Sequence, residues 1–388
     1  MTASVRSDSI HSDRLTQPVG ATAHHDLLAQ LADIDSDSAL GEARQTREAA
    51  TVHAQGSYDA IFAVTGDSQF ALNQRFQLAQ QVASWHGDNQ LATHYADRLR
   101  PLPQAEDNVK LQAALTHAER LSFKPASATG AHLQALLATG WSHDDVVTLS
   151  QLVAFVSFQT RLLRGLRLLN GQPTENDSEA NVPAGVWRTE GKTESGRPAP
   201  QAFTQEELKW EPWIPAKTLA EFDEPQQATL ARFGHTESDY FRLLGRNLPV
   251  LEQRTLTDKG IFYTSGGLPR KERELAATVA SKVNGCVYCA SVHARKAAQL
   301  SKQPDAVQRL LDITPGSVLS TGQESRWQAE IDFSAALSAT PPSASAVHIQ
   351  RLRDIGLSEL ELLDLAQSTA FFAWANRLML TLGEPFEG

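Results

Sequence analysis

The chain of 388 residues has two cysteines, and both lie in the stretch NGCVYCASVH, residues 284–293. Gly285 argues against one continuous helix here, so a helix ending near Asn284 and a second beginning at Cys286 are expected. A helix turns about 100° per residue, which places Cys286, Cys289 and His293 within roughly 60° of one another on one face. A thiol at a helix N-terminus feels the positive end of the dipole, which favours the reactive thiolate. That argument alone points to Cys286 as the more acidic thiol; the nearness of His293 to Cys289 points the other way. His293 can accept or return a proton. Glu274, on the preceding helix, can fix its tautomer. The string E-x11-C-x2-C-x3-H thus has the parts of an activated nucleophile, its base and an orienting carboxylate.

Two other uses of the same residues are weighed against this one. A structural zinc site takes four ligands and would have to recruit His293 and Glu274 beside the two thiols. A buried, inert cysteine pair is the plain alternative. The string as a whole favours thiol chemistry, with no metal. The first 25 residues lack the apolar core of a signal peptide, so a cytoplasmic, reducing location and a frayed tail over residues 1–24 are expected. A disulfide closing so short a loop would restrict the unfolded chain very little. The net charge of −10 argues against nucleic acid and anionic membrane surfaces as partners. No run of eighteen apolar residues predicts a membrane span. Neither a P-loop nor a dinucleotide G-x-G-x-x-G is present, so no nucleotide or flavin is expected.

The elements that must position these residues repeat. Residues 132–162 match residues 348–378 at an offset of 216, with eleven identities that include His132/His348, Gly140/Gly356, Ser142/Ser358 and Arg161/Arg377. LAQQVAS (78–84) matches LAATVAS (275–281) at an offset of 197, and His53 and Tyr58 match His235 and Tyr240 at 182. On this register the second copy carries two insertions, one on each side of the cysteine motif. Ser142 with Asp145, and Ser358 with Glu361, read as capping boxes opening helices so apolar that they must be buried on nearly all sides. No period-two alternation persists, and the class is all-α. The expected organisation is a thiol-lacking scaffold repeat (25–170), a linker rich in Gly, Pro, Ser and Glu (171–203), and a catalytic repeat (204–388). In the first copy Gln77 takes the place of Glu274 and His94 that of His293. His132 and His348 read as helix-capping or buried hydrogen-bonding residues. Most of residues 254–272 have no counterpart on this register and read as a loop bordering the thiol pocket, with Phe262 and Tyr263 as an apolar wall.

Glu274, Cys286, Cys289 and His293, within GLPRKERELAATVASKVNGCVYCASVHARK, resemble the motif of the alkylhydroperoxidase D-like enzymes of the carboxymuconolactone decarboxylase superfamily, in its peroxidase-related branch. The resemblance covers residues 205–388 closely and residues 25–170 as a degenerate copy. It implies two tandem helical domains and a thiol peroxidase in which Cys289 attacks a hydroperoxide, Cys286 resolves it to a disulfide, and Glu274 and His293 relay protons. It implies a dithiol protein reductant from outside, no bound cofactor, and a homo-oligomer. A histidine usual in the family before the second cysteine is replaced by Tyr288, whose phenol is no base at neutral pH. The relay then rests on His293 alone, and Tyr288 and Asn284 are expected in the pocket wall. A non-enzymatic redox sensor and a decarboxylase-like member are the alternatives. If the long apolar helices 142–169 and 358–380 pair within the chain and keep outer faces free, three chains would associate as a trimer.

Overall fold

A computed structural model describes residues 25–64, 66, 68–106, 108–172 and 182–388; the tail expected at 1–24 lies outside them. Two short helices, α1 (Leu27–Leu31) and α2 (Ala39–Thr46), lead into α3 (Glu48–Phe62), α4 (Leu72–Trp85), α5 (Asn89–Leu99), α6 (Val109–Phe123), α7 (Gly130–Ala138) and α8 (His143–Leu169). Strand β1 (Leu208–Pro212) and helices α9 (Glu224–Phe233) and α10 (Asp239–Leu244) precede the second series. That series comprises α11 (Leu248–Phe262), α12 (Arg270–Asn284), α13 (Val287–Ser301), α14 (Pro304–Asp312), α15 (Ser325–Ser338), α16 (Ala346–Asp354) and α17 (Glu359–Thr381), and β2 (Gly383–Glu387) closes the chain. The class is all-α, with one addition that the sequence did not suggest. β1 and β2 form an antiparallel ribbon, Leu208 opposite Glu387 and Pro212 opposite Gly383.

Helix starts give the internal register. α11 begins 200 residues after α3 (248 against 48), α12 and α13 begin 198 after α4 and α5, and α15, α16 and α17 begin 216 after α6, α7 and α8. The matching of His53 and Tyr58 with His235 and Tyr240 is therefore corrected: Tyr58 corresponds to Asp258. Residues 254–262 are the second half of α11 and have a counterpart in α3, so only Tyr263–Pro269 form the loop. The one long insertion within the series follows the cysteine motif, as α14 and the turn after it. Buried arginines confirm the register physically. Arg75 donates to the carbonyls of Ile61 and Phe70, and Arg273 donates to those of Ile261 and Leu268. At the other end, Thr129 and Ser345 each present their N–H to the Nδ1 of the histidine three residues on, His132 or His348.

α8 and α17 pack against one another through the centre of a core drawn from both repeats. Trp374 Nε1 donates to Gln151 Oε1 at 2.7 Å across them. α8 is long and apolar enough to cross a bilayer by length and composition, but the apolar window is wholly buried inside the protein. α17 is buried along almost its whole length as well. The wide apolar stripe that was to leave faces free for other chains is covered within one chain, and the stated reason for a trimer is absent. The repeats also exchange partners. Arg47, ahead of α3, donates from Nε and Nη2 to Asp364 of α17 at 2.7 and 2.9 Å, and Arg273 Nη2 reaches the same carboxylate at 2.9 Å. All three side chains are at most 2 % exposed. Removing the anion leaves two guanidinium groups buried without a counter-charge, so Asp364→Asn is expected to lose about 3–5 kcal/mol of stability. Urea unfolding measures it, and a loss below about 1 kcal/mol would place this bridge among ordinary surface pairs.

Candidate active site

The motif residues are brought together by two helices meeting at a sharp turn. α12 ends at Asn284, Gly285 adopts the left-handed conformation (φ 74°), and Cys286 caps α13. Glu274, one per cent exposed, accepts from His293 through Oε2 at 2.5 Å and from Arg270 Nε through Oε1 at 2.5 Å. Arg270 is i−4 to Glu274 and also donates to the Phe262 carbonyl, so it ties the carboxylate to the end of α11. The imidazole of His293 is boxed by aromatic rings, Phe372 at 4.4 Å and Phe262 at 6.1 Å between centroids. Cys286 and Cys289 are 1 % and 5 % exposed and unbridged. Their sulfurs hydrogen-bond one another and the side chain of Asn376. Asn376 is in turn held by Asn284 and Ser281, each at 3.0 Å.

The electrostatics separate the two thiols. The hydrogen bond from Cys286 pulls the Cys289 thiol below its ordinary range; burial opposes this, and His293, Asn376 and Arg254 assist it. Burial pushes the Cys286 thiol well up, and donation to Cys289 pushes it further. Burial alone would lower His293, but the Glu274 carboxylate beside it raises it above its ordinary value. Burial likewise opposes the charge on Glu274, yet His293 and Arg270 together hold it below the usual carboxylate range. The helix-dipole argument for Cys286 is thus outweighed here by the pairwise contacts of Cys289. Arg254, Arg270, Asn376 and Asp258 escaped sequence reasoning. Asn376 could have been flagged, because Thr160 holds its place in the first repeat.

The other expected residues divide. Tyr288 and Cys286 line a narrow cavity of about 40 Å³, whose walls also include Trp213, Val287 and Met379. Asn284 lies behind the thiols, at Asn376. Phe262 is buried against His293 and is no part of the cavity wall. Tyr263 is 71 % exposed, with Arg270 lying 4.4 Å over its ring, so it borders neither thiol. The segment read as a linker supplies the cavity's outer wall. Its described part, 182–203, is strapped across the start of α13: Gly185 N–H donates to Lys282 O, Ala184 exchanges bonds with Ser317 and Gly316, and Arg188 pairs with Glu384. Trp187 and Phe203 pack over Lys282, whose ammonium caps the Leu311 and Ile313 carbonyls and whose pKa burial lowers to about 8.

The approach of the strap demands glycine. A Cβ on Gly285 would stand 2.2 Å from the Val186 carbonyl oxygen, on a backbone that L-residues adopt at a cost of about 1–2 kcal/mol. Gly285→Ala is therefore expected to lower the melting temperature and speed modification of Cys286 by a thiol reagent. Unchanged values for both would show that the strap does not close on this turn.

In the first repeat the structural register places Phe76 at Glu274, Asp88 at Cys286, Leu91 at Cys289 and Tyr95 at His293. This corrects the pairing of Gln77 and His94 with the catalytic positions. Phe62 and Phe76 stack at 4.4 Å, Tyr95 is fully buried and bonded to Gln159, and Asp88 pairs with Arg167 while capping α5. The site has become core. His94 instead bonds the hydroxyl of Tyr58 at 2.9 Å.

Residues 249–314, which hold all four motif residues, match the model of the carboxymuconolactone decarboxylase family. The match lies within the second repeat. Two solved structures are similar to the chain. One is the alkylhydroperoxidase AhpD core of a peroxidase-related protein from Ralstonia eutropha JMP134, 21% identical over 42% of this chain and 86% of that one, with a TM-score of 0.36. The other is a peroxidase-related protein from Silicibacter sp. TM1040, 22% identical over 44% of this chain and 92% of that one, with a TM-score of 0.37. None of the curated proteins matches the chain.

Proposed function

We propose that the protein is a thiol-dependent peroxidase of organic hydroperoxides acting in the cytoplasm. The observation that carries the reading is the chain Glu274–His293–Cys289, with Cys286 hydrogen-bonded to the sulfur it would trap. Cys289 thiolate attacks the distal peroxide oxygen; an S–O bond forms, the O–O bond breaks, and His293 imidazolium protonates the departing alkoxide. Cys286 thiol then attacks the sulfenic sulfur, and hydroxide leaves with the thiol proton as water. An external dithiol protein gives two electrons and two protons to reopen the disulfide, so no bound cofactor is required. Tyr288, partly buried and with its phenol pKa raised by burial, can donate a hydrogen bond but supplies no base.

Turnover of an organic hydroperoxide with an excess of dithiol, followed by thiol counting, tests the reading. Consumption of peroxide in step with loss of two thiols per chain is expected. Disulfide formation without catalytic turnover would instead mark a redox sensor, and peroxide-inert thiols would remove both readings.

A further inference from the structure

Two arginines at matching places in the repeats, Arg161 on α8 and Arg377 on α17, are completely buried. Among the described residues neither has a carboxylate partner. Arg161 Nη2 donates to Ala339 O at 2.9 Å and to Thr340 Oγ1 at 2.6 Å; Arg377 Nη2 donates to Ser122 O at 3.0 Å and to the same Thr340 oxygen at 3.3 Å. The Nε of each is without a hydrogen-bond partner among the described residues. Ser122 and Ala339 lie at the C-terminal ends of α6 and α15. Each helix end contributes roughly half a negative charge, so the two offset about one of the two buried positive charges. About one remains, and desolvation of a lone cation is costly. His86, which bonds Arg161, adds no charge, since burial and then the two guanidinium groups hold its pKa far down.

Thr340 carries that charge outward. A hydroxyl oxygen has two acceptor sites and one proton. Both acceptor sites of Thr340 are filled by the arginines, so its O–H can only donate, and no acceptor for it stands among the described residues. Thr340 is half-buried and lines a groove of about 660 Å³, with Lys124 exposed at the rim. The groove and the cavity at Cys286 share the walls Ala126, Ala128, Arg188 and Glu190. The two spaces thus adjoin across shared walls, one polar and electropositive at Thr340, the other largely apolar at a thiol.

We propose that the Thr340 hydroxyl, backed by Arg161 and Arg377, binds the carboxylate of an organic ligand whose apolar body follows the groove to Cys286. One hydroxyl and one rim ammonium suit the two oxygens of a carboxylate and would leave a phosphate underbonded. That the ligand is the substrate, a carboxylate-bearing hydroperoxide, rests on the peroxidase reading; the anion site does not.

Titration calorimetry on the full-length reduced protein with octanoate, octan-1-ol and inorganic phosphate tests the site. Octanoate is expected to bind about tenfold or more tightly than either of the others, the value of one charge-assisted hydrogen bond. Thr340→Val should weaken octanoate about tenfold, and Thr340→Ser should restore it. Lys124→Gln, on the exposed rim and safe for folding, should weaken it about threefold at low salt. Equal binding of octanoate and octanol, or no change in Lys124→Gln, overturns the anion site; phosphate as tight as octanoate overturns the ligand class. In turnover, Thr340→Val should raise KM for a carboxylate-bearing hydroperoxide about tenfold more than for a neutral one. Selective octanoate binding to a protein that turns over neither hydroperoxide would end the peroxidase reading and leave the site standing.

Discussion

Cys289→Ser is expected to abolish hydroperoxide turnover, a loss of about a thousandfold or more, because burial holds the remaining thiol, Cys286, in its unreactive protonated form. Cys286→Ser should behave differently. With Cys289 intact, one equivalent of peroxide is consumed in a rapid phase, a sulfenic acid accumulates, and the cycle then stops because no thiol resolves it. Stopped-flow peroxide consumption and intact-protein mass separate the two outcomes. The asymmetry follows from the hydrogen bond between the sulfurs, in which Cys286 gives and Cys289 receives, so that charge settles on the sulfur nearest His293. A rapid phase retained in Cys289→Ser and lost in Cys286→Ser would reverse the roles. Full activity in either variant would remove the mechanism.

The four motif residues and the break at Gly285 were readable because they lie close in sequence, where helical geometry alone decides who meets whom. The internal register was readable only in part. LAQQVAS and LAATVAS align best at 197, yet the helices superimpose at 198, because the buried arginines Arg75 and Arg273 and the turn glycines Gly87 and Gly285 fix the register. Slips of one residue in opposite directions, to an offset of 197 at Gln77 and of 199 at His94, hid Phe76 and Tyr95 and made a filled core look like a weakened site. Residues 182–203 misled for another reason. Their apolar anchors, Val182, Ala184, Trp187 and Phe203, follow no helical or strand period, since an extended strap buries side chains wherever the underlying surface has room. Tyr263 failed similarly: it sits next to Phe262 in sequence, but Phe262 is buried against His293 while Tyr263 is exposed at the end of α11.

Loss of the thiols from the first repeat also bears on why the repeat is needed. Arg47 and Asp364, Thr340 shared by Arg161 and Arg377, and the α8–α17 contact all join one copy to the other. The second repeat on its own would expose the apolar flank of α17 and leave Asp364 with a single guanidinium. The first copy thus completes the core in which Phe371, Phe372 and Asn376 hold the thiol site.

Glu274→Gln keeps the shape of the side chain and removes its charge, and its effect should be read in the pH profile. On the proposed mechanism, activity requires Cys289 ionised and His293 protonated. Cys289 is held below its ordinary 9.0 and His293 above its ordinary 6.5, so the two limbs of the profile are moved to favour the ion pair. Without the carboxylate His293 loses the group that raises it, and its limb moves to lower pH. Cys289 then loses the imidazolium over the neutral range, and its own limb moves up. The productive window shrinks from both sides, and the maximum of kcat/KM should fall about a hundredfold. Stability follows the same signs. The raised His293 contributes fully below 6.5 and loses its share as pH rises through its folded value. The lowered Glu274 contributes fully above 4.5 and loses its share as pH falls through its folded value. The variant should therefore be most destabilised between those two values and least at the extremes. A uniform drop in activity with neither limb displaced would show that Glu274 only fills space, and that the proton on His293 is held by something else.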